Sequence, residues 1–275
     1  MNENLKKLLR NYYIFIKDFF YKLFDDKIGY YASSLSWDTI FAIIPLMAIF
    51  VYIFTSMPIF DLLFKKFEIY LFSVIIPSNS KYIMDFLDKF LNNADQLGAL
   101  GFVYVIFAVT LFFKTYDYII NDIFETNKRD FWSAFKLYLL FLIIIVVGIG
   151  VSIYASFFIE EKTQSNFLID SIMPFTITWG IFFISYQLSP NTAVSLKASI
   201  SSSFIASLIW FLSKKAFILY IYYNKTYTTI YGSISIVLFF FLWIYISWAI
   251  FLHGMRFCFL LDKDEEIERI DKSRS

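Results

Sequence analysis

The sequence predicts an all-α, polytopic membrane protein: six transmembrane helices, with amphipathic interfacial helices at the N-terminus and between spans one and two. Three observations carry that expectation. Of the 275 residues, 59% are hydrophobic and 17% charged, against about 25% charged in an ordinary soluble domain. The apolar residues arrive in runs of about 20, the length that crosses ~30 Å of hydrocarbon. Lys and Arg concentrate in alternate connecting segments, as the positive-inside rule requires of a chain threaded back and forth.

Residues 1–28 interleave charges throughout, unlike a signal peptide with its separate basic and apolar regions. Leu5, Leu8, Leu9, Tyr12, Tyr13, Ile16, Phe19, Phe20, Leu23 and Phe24 recur at three-and-four spacing, with Lys6, Lys7, Arg10, Lys17, Lys22 and Asp25 on the other face. That pattern suits a cytoplasmic helix lying among headgroups. A helix packed on another protein helix is the alternative.

The transmembrane domain occupies residues 29–261, with spans at about 35–57, 97–120, 137–159, 168–188, 199–222 and 233–261. Pro45 lies near the centre of the first span, where its missing N–H favours a kink. Between spans one and two, residues 59–93 are too charged to cross. Phe60, Leu63, Phe64, Phe67 and Leu71, then Tyr82, Phe86 and Phe90 beyond Pro77, keep helical spacing and predict outer amphipathic helices. The remaining loops leave no room for a soluble domain, and 262–275 forms a charged cytoplasmic tail, read as a solvated helix end.

Orientation follows from the bases. With the N-terminus inside, 14 of the 24 Lys and Arg fall in inner segments and 6 (Lys65, Lys66, Lys81, Lys89, Lys162, Lys225) in outer ones. The other four, Lys114, Lys214, Lys215 and Arg256, lie within spans. Both termini are therefore expected in the cytoplasm of a bacterial inner membrane.

Composition also excludes chemistry. Formal net charge is +1, so no global basic excess draws the chain to nucleic acid. One cysteine, Cys258, and one histidine, His253, rule out an intrachain disulfide and a Cys/His zinc cluster. No cofactor or metal is expected. The 36 Phe and 20 Tyr support no ligand assignment, because an AT-rich genome would supply them equally well.

Ionisable groups at bilayer depth cost at least ~2.5–3.5 kcal/mol each, so each should meet a partner or water. Asp38, Lys114, Asp117 and Arg256 are expected at one membrane level, as a candidate cavity or buried charge network in which Asp38 pairs with Lys114 or Arg256. Snorkelling to the headgroups is the alternative for the two bases. Lys214 and Lys215 project about 100° apart on their helix, so at least one is expected to face the interior, unless the fifth span ends sooner. Ser199, Ser201, Ser202, Ser203 and Ser207, with Ala198 and Ala206, have helix-packing spacing, so close packing is the default reading and a polar stripe along a cavity the alternative.

Several segments, taken in order, resemble one family. These are Tyr31-Ala-Ser-Ser-Leu-Ser-Trp-Asp-Thr-Ile-Phe-Ala-Ile-Ile-Pro45-Leu in the first span and Asn121 followed by Ile123-Phe124 after the second. Pro190-Asn191 between spans four and five, and Tyr231-Gly232-Ser233 with Trp243-Ile-Tyr245 at span six, complete the set. Together they resemble the YihY/BrkB family, once labelled ribonuclease BN, over about residues 29–261. The resemblance implies a six-span inner-membrane protein, with Pro45, Pro190, Asn191 and Gly232 at helix kinks or packing points. The chain departs from the family at Trp37-Asp38, where Tyr or Thr-like residues are common, and at Gly254-Met255-Arg256, where Gly-Ala-Glu is common. An acid gained in span one and lost in span six favours an Asp38–Arg256 pair.

The expected function is transport or handling of a lipid-like, amphiphilic or anionic solute through an internal cavity, with membrane lipids as partners. A structural or assembly role in the envelope is the alternative. Enzymatic activity, ribonuclease included, is disfavoured, since no nucleophile–base pair or metal constellation can be assembled. Oligomeric state is left open.

Overall fold

The computed structural model describes residues 26–55, 98–130, 132–138, 140–141, 172–224 and 234–274. Nearly all of the amphipathic helix predicted over 1–28, the outer helices at 59–93, most of the third span and Gly232 lie outside those residues. The described residues hold helices and connecting turns, without strands. The helices are α1 (Asp26–Thr55), α2 (Gly98–Ile123), α3 (Met173–Leu188), α4 (Leu196–Tyr223) and α5 (Ile234–Arg274). A helical stretch, 132–138, follows α2.

Two helix boundaries differ from those the sequence suggested. α1 begins at Asp26 rather than near Leu35, so the Tyr31-to-Ser36 segment is already helical. α5 continues without a break to Arg274, so the charged residues 262–274 continue the sixth helix. Its Glu, Lys, Arg and Asp residues are mostly good helix formers, and hydropathy marks where a helix leaves lipid, not where it stops. α1 also runs helically through Pro45.

The helix ends have local causes. Ser195 has extended backbone and its side chain accepts from Ala198 N at 3.2 Å, the N-cap of α4. Pro174 occupies the first turn of α3, where a missing N–H costs nothing. α2 closes with Thr126 N donating to Asn121 O at 2.9 Å and Glu125 N to Asp122 O at 3.2 Å. Glu125 takes φ 56°, the left-handed conformation that such a terminus normally assigns to glycine.

α5 is the central post. It packs against α4 on one side and α1 on the other; α2 lies outside α1 and α3 outside α4. The buried face of α4 is built from small residues, Ala198, Ser199, Ser202, Ser203, Ala206 and Ser207; Ser199 and Ala206 lie against Cys258 and Gly254 of α5, and Ser203 accepts from Trp179 Nε1 of α3 at 3.2 Å. The serine hydroxyls return to their own helix, as Ser202 Oγ does to Ala198 O at 2.6 Å. Close packing, the default reading of that stripe, is what these residues do. Farther along, Trp210, Trp243, Phe217 and Phe239 meet in sequence across the α4–α5 seam, tilted, stacked and edge-to-face in turn, with ring centroids 5.5, 5.2 and 6.4 Å apart.

The opposite face of α4 is apolar and exposed, through Leu196, Ile200, Phe204, Leu208 and Leu212. Two described helical stretches, Leu196–Tyr223 and Val237–Asp264, are long and apolar enough to cross a membrane by length and composition, with mean hydropathy 1.7 and 1.9. Only 17% and 28% of their apolar windows are buried. A soluble core helix would be mostly buried, so a lipid-facing surface is the physical account that fits.

Candidate functional site

The start of α1, the ends of α2 and α3, the start of α4 and residues 256–264 of α5 meet at one end of the bundle. Here the polar side chains concentrate. A cavity of about 340 Å³ opens between α1, α2 and α5, lined by Lys27, Ile28, Tyr31, Asn121, Asp122, Ile123, Glu125, Thr126 and Arg256.

Each wall has a reason for its position. Ile28, Ala32 and Leu35 bury one stripe of α1, which turns Lys27 and Tyr31 toward α2. Tyr31 Oη donates to Asp122 Oδ2 at 2.6 Å, and Lys27 Nζ stands 3.9 Å from the same oxygen. Arg256 projects from α5, donates to the carbonyl of Ile123 at 3.1 Å and lies 5.0 Å from the Phe259 ring. Lys263, two turns on, reaches Glu125 Oε2 at 3.4 Å and also stands over Phe259. A base from α5 is thus held at the α2 terminus by a helix-end carbonyl, the usual partner for a cation there.

Asn121 organises the floor. Its amide donates to Asp117 O at 2.9 Å, while its Oδ1 accepts from Thr126 Oγ1 at 2.9 Å and from Asn191 N at 3.0 Å. One nearly sealed side chain therefore ties α2 to its own terminal turn and to the loop before α4. Arg129 fastens that loop from the other side, donating to the carbonyls of Leu188, Ser189 and Pro190 at 3.0, 2.9 and 2.6 Å. The planar guanidinium reaches the three consecutive carbonyls through two separate nitrogens, a spread that the single nitrogen of an ammonium does not offer.

The sequence-derived site residues divide among several places. Asp117 is buried and accepts from Tyr138 Oη at 2.6 Å, joining α2 to the helical stretch 132–138. Arg256 lines the cavity. Pro190 is buried under Arg129, and Asn191 joins the floor through its backbone N and, through Nδ2, Asn127 O at 3.0 Å. Asp38 is half-buried in α1; its Oδ2 is enclosed without a hydrogen-bond partner among the described residues. Lys114 is exposed on α2.

Among the described residues no ion pair joins Asp38 to Lys114 or to Arg256, which corrects the single paired level expected for these groups. The reason is geometric: Arg256 is turned to the α2 terminus at Ile123, more than two helical turns past Lys114. Lys214 and Lys215 stand over rings of their own helix, 5.9 Å from Trp210 and 5.1 Å from Phe211. α4 does not end before them; it runs to Tyr223.

Lys27, Tyr31, Glu125, Thr126 and Arg129 belong to this site and went unassigned by periodicity and spacing. Lys27 and Arg129 counted only among the 14 inner bases that set the orientation. Among the described residues no group of three His, Cys, Asp or Glu is placed to share a metal ion.

A family description titled virulence factor BrkB matches residues 19–275. The chain is similar to a UPF0761 membrane protein of Histophilus somni (strain 129Pt), 30% identical over 91% of this chain and 91% of that protein. It is also 31% identical to a UPF0761 membrane protein of Haemophilus influenzae (strain 86-028NP), over 91% and 96% of the two chains. A third relative, from Pseudoalteromonas translucida (strain TAC 125), is 32% identical over 84% of this chain and 80% of its own. No solved structure matches.

Proposed function

Because this chain belongs to the virulence factor BrkB family of membrane proteins, we propose that it handles or transports a lipid-like, amphiphilic solute through the cavity at its charged end. It does so as a six-span protein of the bacterial inner membrane, with both termini in the cytoplasm and the cavity opening at that side. The distribution of Lys and Arg supports the orientation.

One observation carries the proposal. A cavity of about 340 Å³ with mostly polar walls is cut into the end of a bundle whose flanks are apolar and exposed. Such a junction accommodates a molecule with a charged head and an apolar body. The role is non-enzymatic, with lipids as partners and no nucleic acid.

The test is movement of headgroup-labelled lipid in proteoliposomes, together with single cysteines at Lys27, Thr126 and Asp38 challenged by an impermeant thiol reagent from each side. Reaction at Lys27 and Thr126 from the cytoplasmic side alone, with protein-dependent lipid movement, is expected. Protection at both positions and no lipid movement would refute the proposal. An assembly role in the envelope is the second candidate, favoured by the Asn121 and Arg129 networks, in which polar groups lock helix ends to one another.

A further inference from the structure

We infer that Asp38 is a proton-binding site, the point at which the protein takes up and releases the coupling ion of the transport proposed above, and the inference rests on that reading. Asp38 lies twelve residues into α1, about 18 Å along the axis from Asp26. Its Oδ2 is enclosed, and no donor reaches it among the described residues. An ionised carboxylate oxygen sealed off without a donor is costly, and a bound proton removes that cost.

The register of α1 connects this group to the cavity. Tyr31, which lines the cavity, Ser34 and Asp38 follow one another at three and four residues and so share one face of the helix. Asp38 is two turns, about 10 Å, deeper than Tyr31. Ser33, Ser36 and Thr39 donate their hydroxyls to the carbonyls of Gly29, Ala32 and Leu35, one turn back. Ser34 is exposed and makes no such bond among the described residues, which leaves its hydroxyl to water. A polar stripe thus leads from the cavity to Asp38 and stops there, because Phe41, next on that face, is apolar and exposed. Hydronium from the cavity delivers a proton past Ser34; an O–H bond forms at Asp38 Oδ2, water is left behind, and the carboxylate charge is lost. Release reverses each step.

α1 packs against α2 and α5, and no ionisable group on either donates to this oxygen. On α2, Lys114 is exposed, Asp117 is held by Tyr138, and Tyr118 lies under Lys128. On α5, Arg256 is turned to Ile123, and neither Tyr245 nor His253 donates to Asp38 Oδ2. A metal ion fits the site less well. It needs several oxygens converging on one point, and the hydroxyls of Ser36 and Thr39 beside Asp38 are drawn back to their own helix. Thr39 is further engaged by Trp248 Nε1 of α5 at 2.9 Å. A proton needs one oxygen.

Two measurements on the full chain in lipid test this. Infrared difference spectra recorded as the pH is stepped from acid to alkaline should show the C=O band of a protonated carboxyl that is absent from Asp38→Asn and present in Asp117→Asn. Asp38→Glu should restore the band at a shifted frequency, which separates loss of the carboxyl from loss of folding. In proteoliposomes, movement of headgroup-labelled lipid should change by up to about tenfold per unit of pH gradient, the limit for one coupled proton. Asp38→Asn should not respond to the gradient. A band missing from the wild type, or surviving in Asp38→Asn, overturns the inference. A response to a sodium gradient at constant pH, in place of the pH gradient, overturns it in favour of a metal ion. Lipid movement indifferent to the pH gradient overturns it alone and leaves the cavity function standing, whereas no lipid movement under any gradient removes the cavity function and the inference with it.

Discussion

Gly254 sits where three helices converge, and its replacement by alanine tests how tightly they do. A Cβ on this residue of α5 would meet Ala206 Cβ of α4 at 2.5 Å, about 0.9 Å short of the 3.4 Å at which ordinary contact begins. It would also collide with the hydroxyl of Tyr186 on α3, which is fully buried and donates to Phe251 O at 2.8 Å. Neither neighbour can yield cheaply, since one is on a packed backbone and the other is fixed by its hydrogen bond. Overpacking of this kind costs up to about 3 kcal/mol, and displacing the tyrosine hydroxyl costs about 1 kcal/mol more. Alanine's better helix propensity returns about 1 kcal/mol. The net expectation for Gly254→Ala is a destabilisation of about 3 kcal/mol, or a fall of about 6–12 °C in apparent Tm at ~2–4 °C per kcal/mol. Thermal denaturation of the detergent-solubilised protein, followed by size-exclusion chromatography, reads this directly. Adding Tyr186→Phe removes one of the two collisions and should recover part of the loss, a coupling that independent sites would not show. A Gly254→Ala protein that melts at or above the wild type would refute the three-helix contact.

Further outcomes follow from the polar junction. Asn121→Ala removes three side-chain hydrogen bonds from a nearly sealed position and should cost about 3 kcal/mol. Asn191→Ala should cost about 1 kcal/mol, because its bond to Asn121 comes from the backbone N and survives; the same melting assay distinguishes the two. Arg129→Lys replaces two spaced donor nitrogens with one, so limited proteolysis within 124–130 should accelerate several-fold, and unchanged cleavage would contradict the clamp. Cys258 is fully buried and should resist an impermeant thiol reagent in the folded protein, yet react once it is denatured. Immediate labelling of Cys258 would mean that the α4–α5 seam opens.

Much of the fold was legible because lipid imposes one rule on long stretches of chain. Runs such as Leu196–Tyr223 announce themselves by apolar content, and described helices fall at five of the six predicted spans, with 132–138 leading into the third. The serine stripe of α4 was legible for the same reason, since small residues at helical spacing have few uses other than close approach. The site was less so. Depth along the membrane can be read from sequence, and it placed Asp38, Lys114, Asp117 and Arg256 together; the direction in which each helix turns its side chains cannot. Arg129 became a clamp only once the loop after α3 came within reach. Glu125 carried no visible signal, as nothing in its identity announces a left-handed backbone. Asn121 and Pro190-Asn191 were visible as motif pieces 70 residues apart, but not as partners.

The unbroken course of α5 has a mechanical consequence. Its 41 residues, at 1.5 Å each, extend about 60 Å, roughly twice the ~30 Å of hydrocarbon. The same rod that stands at the centre of the bundle and carries Arg256 into the cavity wall also projects beyond it as a handle. With no hinge between Arg256 and Arg274, a tilt or twist applied to the charged end arrives at the cavity as the same tilt or twist, shifting Arg256 and Lys263 together relative to the turn they grip on α2.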